Sequence, residues 1–282
     1  MARKADPHAS PAEGGPAVLR RLLPPGEPAG AEGIIDGLHL RDRAEAAGRR
    51  PYVLLNMVST VDGRATLGGR SGPLGNRADR ELFQGLRGVV DAVMAGAGTV
   101  RVERYSRLIP DETRRRRRRE RGLSEEPLAC IVSGRLSLPV DIPLLAEPAA
   151  RVVLVTSSAA SLPQGGAGGA DIDYIRSRHD GALDLTAALT ELHDRFKVRT
   201  LLCEGGPHLN THLLAAGLVD ELFLTVSPKL AGGDGATGEA LRILAGAELP
   251  EPAELELLGV LQSESDLFLR YGVRASAPER VS

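Results

Sequence analysis

The sequence predicts an α/β protein with a mostly parallel central sheet and an antiparallel edge near the C-terminus. Three observations lead there. Short apolar runs alternate with amphipathic helical segments, the pattern of β-α-β units. Two of those runs end in glycine turns, Gly96-Ala97-Gly98 and Gly205-Gly206, each leading onward into the fold. The last two runs, 255–261 and 266–271, are separated only by Gln-Ser-Glu-Ser, so they read as a closing hairpin.

Residues 1–50 are expected to be a mobile leader rich in Pro, Ala and Gly to about residue 31, then a short helix in 34–47. Within that leader, Leu19, Leu22 and Leu23 are the residues that could dock. The run 52–58 is almost continuously apolar, as a strand buried on both faces must be. Asn76 offers an N-cap with Asp79 three residues on, and Leu82, Leu86 and Val89 repeat at i, i+4 and i+7 as one buried helical stripe. Strands follow at 91–95, 128–132 and 151–155. Asp184 caps a helix whose buried face is Leu185, Leu189, Leu192 and Phe196. The run 201–203, a helix 207–216 with Pro207 just inside its start and Gly217 just past its end, and the run 221–226 form a compact β-α-β unit.

Composition excludes several function classes. The 282 residues carry a net charge of −2, with 3% aromatics and no Trp, which argues against an electrostatic or base-stacking nucleic-acid binder. No apolar run reaches the ~18 residues of a membrane span, and no signal peptide is expected, so the expected location is cytoplasmic. Cys130 and Cys203 lie in apolar runs without a C-x-x-C, which predicts reduced buried thiols and no metal site.

The literal dinucleotide fingerprint G-x-G-x-x-G occurs at 233–238, but only a short helix (239–244) follows, and fewer than fifty residues remain for the rest of a Rossmann domain. It is read as a flexible loop. Gly96-Ala97-Gly98-Thr99-Val100 ends a strand directly and fits either a plain tight turn or a phosphate approach. Glu204-Gly205-Gly206 also ends a strand, and Pro207 opens a helix whose free N–H groups would face an anion. Glu204, His208 and His212 have helical spacing but lack a metalloenzyme pattern, so surface or capping histidines are expected. The run Arg114 to Arg119, flanked by acids, is expected to be a solvated loop or helix face.

The segment Pro51 to Ala65, with Leu86-Arg87 and 91–100, resembles the pyrimidine reductase of riboflavin biosynthesis, a family of the dihydrofolate reductase superfamily. Ile131-Val132-Ser133-Gly134-Arg135-Leu136, Glu204-Gly205-Gly206, and Leu218-Val219-Asp220-Glu221 into Ser227-Pro228 extend the likeness. The resemblance implies a three-layer α/β/α dihydrofolate reductase-like fold over 51–274 with a tail at 275–282. It also implies NADPH, a homodimer, and reduction of a phosphoribosylamino-pyrimidine to its ribitylamino form. The family often carries a zinc deaminase domain, but neither H-x-E nor P-C-x-x-C occurs here, so a standalone reductase is expected.

Residue by residue, the resemblance places Gly96, Gly98, Thr99, Glu204, Gly205 and Gly206 at the dinucleotide, with Ser133 and Arg135 where a 2′-phosphate would be gripped. It places Asn56, Asp62, Gly75, Asn76, Arg87 and Glu103 on the substrate side, with Asn56 and Glu103 expected at the ribose hydroxyls and Asp62 ordering either the turn or the substrate. The family's Asp-x-Pro-x-Leu-x-x-Arg becomes Glu103-Arg104-Tyr105-Ser106-Arg107-Leu108, which leaves Arg107 as the candidate for the substrate phosphate. Two other readings fit the sequence: an NADPH reductase of the same superfamily acting on another carbonyl, imine or pterin-like compound, and a non-catalytic nucleotide- or RNA-binding protein.

Overall fold

The computed structural model describes residues 15–159, 161–162, 169–179, 182–233 and 241–274. The chain opens with β1 (Leu19–Leu23), β2 (Gly26–Ala29), α1 (Ala31–Asp36) and α2 (Leu40–Ala46). There follow β3 (Tyr52–Thr60), α3 (Arg77–Arg87), β4 (Ala92–Gly96), α4 (Ala97–Val102), α5 (Glu112–Glu120), β5 (Leu128–Val132) and β6 (Arg151–Thr156). Next come β7 (Asp171–Arg176), a minor hairpin β8 (Arg178–His179) and β9 (Ala182–Leu183), then α6 (Leu185–Phe196), β10 (Thr200–Cys203) and α7 (Pro207–Ala215). The chain closes with β11 (Glu221–Ser227), β12 (Leu255–Ser263) and β13 (Asp266–Val273).

Among the described residues, eleven strands form one sheet in the order β2-β1-β12-β13-β11-β3-β10-β4-β5-β6-β7. From β11 to β7 every pairing is parallel, and from β13 to β2 every pairing is antiparallel. The expected parallel sheet with an antiparallel C-terminal edge is therefore present. One core, on the face of Leu54, Val93 and Leu202, packs Leu86 of α3 and Val100 of α4. The other, on the face of Val53, Leu55 and Cys203, packs Leu189 and Leu192 of α6 with Leu209 and Leu213 of α7. Alternation along each strand sends successive side chains to opposite faces, which makes the architecture three-layered.

The expected helix starts hold. Asn76 accepts the Asp79 N–H at 3.0 Å, and Asp184 accepts the Ala187 N–H at 2.9 Å. Three expectations need correction. The leader is not mobile beyond residue 18: β1 pairs antiparallel with β12, burying Leu19 completely, while residues 1–14 lie outside the described residues. The arginine run is a helix, α5, but Arg115 and Arg118 are buried in it. Arg118 donates to the carbonyls of Arg87, Val90 and Ser124 at 2.7–2.8 Å, and burial pulls its pKa down to about 10. Finally, 241–244 is not helical; the fingerprint and the rest of that expected helix fall mainly at 234–240, outside the described residues.

Candidate active site

Strands β10 and β4 lie side by side, yet the chain leaves them in opposite directions. From β4 it enters α4, whose Ala97 and Val100 join the first core; from β10 it enters α7, whose Leu209 and Leu213 join the second. A crevice opens at such a divergence of strand ends, where open α/β sheets take their ligands.

The two glycine turns meet in that crevice. The Gly96 N–H donates to the Gly205 carbonyl at 2.9 Å, and the Glu204 N–H to the Met94 carbonyl at 2.8 Å. Gly205 and Gly206 hold φ of +97° and +95°, a left-handed region that side chains rarely enter. A Cβ on Gly206 would sit 3.4 Å from Thr99 Oγ1 and 3.5 Å from Gly96 Cα, ordinary contact distances, so it is the backbone conformation and not a lack of room that calls for glycine there. A Cβ on Gly98 would meet nothing within 4 Å, so that backbone faces open space. Gly96-to-Val100 is thus a turn into a short helix. The first N–H groups of α7, beginning behind Gly206, have no intrahelical acceptor. These residues form a cradle suited to a dinucleotide's pyrophosphate.

On the next strand end, beyond β5, Arg135 is exposed and makes no hydrogen bond or ion pair to a described residue. Ser133 is redirected. It is buried, and its Oγ accepts the Ser137 N–H at 2.9 Å, so it shapes the turn that presents Arg135.

Glu204 is redirected as well. Its carboxylate is buried and gripped bidentately by Arg87, at 2.6 and 2.7 Å, and by the Tyr105 hydroxyl at 2.5 Å. Burial alone would lower the Arg87 pKa, but the Glu204 charge and hydrogen bonds raise it. Arg87 also stacks on Phe83, 4.4 Å from the ring centroid, which leaves it no freedom to hold a substrate. The Arg87–Glu204 pair, unseen in the sequence, is a structural ion pair beneath the crevice.

On the substrate side, Asn56 is half-buried and its amide bonds to no described residue. In the parallel register Leu55 pairs with Cys203, so Asn56 lies level with Glu204 and on the same face. Glu103 accepts from both the N–H and the Oγ of Ser71 at 3.0 Å, tying the 71–76 loop to the end of α4. Asp62 accepts from the amides of Ala231 and Gly232 and from Thr60 Oγ1; that hydroxyl and the Gly232 amide hold its pKa down to about 2. It orders two loops at the crevice rim.

Three further expectations change. Asn76 spends its amide on Asp266 Oδ2 at 3.0 Å and its carbonyl on the α3 cap, so it fastens the β12–β13 turn instead of facing a substrate. Gly75 is a packing glycine: its Cβ would fall 2.0 Å from Asp79 Oδ2. Arg107 pairs with Glu126 at 2.7 Å, two residues before β5 begins, which puts it at the amino end of the sheet, opposite the crevice. His208 and His212 are exposed, and no His, Cys, Asp or Glu group suited to a metal ion occurs among the described residues. Both cysteines are buried and unpaired, and burial pushes Cys203 up to about 12. No described helix is long and apolar enough to cross a membrane.

A sequence profile of the RibD C-terminal domain matches residues 51–269. The chain is 29% identical over 235 residues to the 2,5-diamino-6-ribosylamino-4(3H)-pyrimidinone 5′-phosphate reductase of Methanothermobacter thermautotrophicus, a match covering 80% of this chain and 99% of that protein. It is 28% identical to the protein of the same name from Archaeoglobus fulgidus, covering 65% of this chain and 83% of the relative. The fold is similar to the crystal structure of a pyrimidine reductase-like protein from Corynebacterium diphtheriae, with TM-score 0.68 and 24% identity over 87% of this chain and 99% of that one.

Proposed function

The chain belongs to the RibD C-terminal domain family, and from that membership we propose that it is the pyrimidine reductase of riboflavin biosynthesis. In this reading it uses NADPH to reduce a phosphoribosylamino-pyrimidine to its ribitylamino form, over a reductase domain spanning 51–274. The observation that carries the assignment is the joined cradle of Gly96, Gly98, Thr99, Gly205 and Gly206, with unpaired Arg135 on the neighbouring strand end. That cradle fits a dinucleotide, and a free guanidinium beside it suits the extra phosphate that separates NADPH from NADH.

When bound, NADPH would supply the hydride for C1′ of the opened ribosylamine. The chain's own contribution is proximity and orientation. The unpaired Asn56 amide is assigned to a ribose hydroxyl. Glu103 holds the 71–76 loop against α4 and so closes the substrate side. With Arg107 at the far end of the sheet, Arg70 and Arg101 are the cations we assign to the substrate phosphate. Both are exposed and flank the Ser71–Glu103 contact in sequence, and their guanidinium groups bond to no described residue.

We also place a homodimer contact on the open face of β12 and β13. Leu255, Leu257 and Leu267 are 40%, 43% and 36% exposed there, and Val260 and Leu269 share the face by register. A second copy, related by a two-fold axis, would cover this apolar surface with its own. The test of the assignment is pyrimidine-dependent loss of NADPH near-ultraviolet absorbance by the purified protein. Tight NADPH binding without such oxidation would overturn it.

A further inference from the structure

We infer that Tyr105 is a positioning residue for the dinucleotide: its hydroxyl, acting through Glu204, fixes the Gly205–Gly206 turn in its receptive shape. The inference rests on the proposed dinucleotide site and deepens it.

Two successive glycines in left-handed conformation are the least constrained backbone in the crevice. Their shape must be set from outside. On one side Pro207 starts α7 with a fixed φ. On the other stands Glu204, the last residue held before the turn: its own N–H is bonded to Met94, and the next carbonyl receives the Gly96 N–H. Three donors from two other segments converge on its carboxylate, two from Arg87 at the end of α3 and one from Tyr105 after α4. Arg87 alone balances the charge. The Tyr105 bond is therefore not needed to neutralise a buried carboxylate; it adds a third direction that stops the carboxylate from turning on the Arg87 fork.

Tyr105 also lies two residues after Glu103, whose carboxylate grips Ser71. A single O–H thus joins the segment that closes the substrate side to the turn that receives the cofactor. Burial, and then the Glu204 charge, raise the phenol's pKa well above its usual value, which keeps it a donor throughout the neutral range.

Tyr105→Phe keeps the ring and deletes only the hydroxyl. In the ligand-free variant, amide hydrogen exchange across 204–208 should accelerate about tenfold, the scale of losing one hydrogen bond to a charged group. Dissociation constants and KM for NADPH and NADH should rise together by about the same factor, with less than about a twofold fall in kcat at saturation. Unchanged exchange, or a lowered melting temperature with unchanged dinucleotide affinity, would overturn the inference and leave Tyr105 as packing. If exchange accelerates but the wild type binds neither dinucleotide, the positioning role stands and the cofactor assignment falls.

Discussion

The Gly96 amide donates to the Gly205 carbonyl at 2.9 Å, which joins two glycine turns more than a hundred residues apart into one unit. Gly206, at φ +95°, holds a backbone conformation in that unit that side chains rarely adopt. Its consequences can be tested at single residues.

Gly206→Val should abolish dinucleotide binding while leaving native circular dichroism. A β-branched residue in this region costs on the order of 1–3 kcal/mol locally, and the added Cβ would reach Thr99 and Gly96. Retained NADPH affinity in a folded variant would move the cradle elsewhere.

Arg135→Ala should raise the NADPH dissociation constant roughly tenfold or more, about 1–3 kcal/mol for a charged phosphate contact. NADH affinity should barely change, because Arg135 holds no described partner whose loss would disturb the fold. Equal losses for both dinucleotides would show that Arg135 does not read the 2′-phosphate.

Asp79 gives a pH signature. Burial first, and then the charge of Asp266, raise its pKa, against the Thr225 hydrogen bond and the nearby Arg80 and Lys229. A carboxyl whose folded pKa lies above its unfolded one contributes stability at low pH that is lost as pH rises through the folded value. Asp79→Asn should therefore raise the melting temperature at pH 8, and the gain should shrink toward pH 4. A loss at pH 8 would mean that attraction to Lys229 outweighs burial.

Much of this was legible in the sequence, for local reasons. Asn76 and Asp184 cap helices with their own side chains three residues on, and the glycine turns declare themselves by following apolar runs. What the sequence hid depends on partners far along the chain. Leu19 is buried in a cluster that includes Ala78 and Phe268, the second about 250 residues later. Arg87 reads as a free cation until Glu204 is folded against it, and Arg107 until Glu126 is. Ser133 stands at a strand end, and its buried hydroxyl oxygen accepts a hydrogen bond from its own turn. Tyr105 carried no motif at all; the departure from the family pattern after Glu103 was the one signal that could have singled it out.

The dimer contact is open to one surface change. Leu257→Lys adds a charge to a residue already 43% exposed, so the protomer should fold unchanged. Light scattering at micromolar concentration should then show a dimer for the wild type and a monomer for the variant. A wild-type monomer would remove the assembly, and an unaffected dimer would move its interface off this face.

The most direct measurement is the mass of the product formed with NADPH deuterated at its transferring position. Purified protein should convert a phosphoribosylamino-pyrimidine to the ribitylamino compound, one oxidised cofactor per product, with a single deuterium at C1′ and no added metal. Tight NADPH binding with no labelled pyrimidine product, from either the diamino or the deaminated substrate, would contradict the assignment.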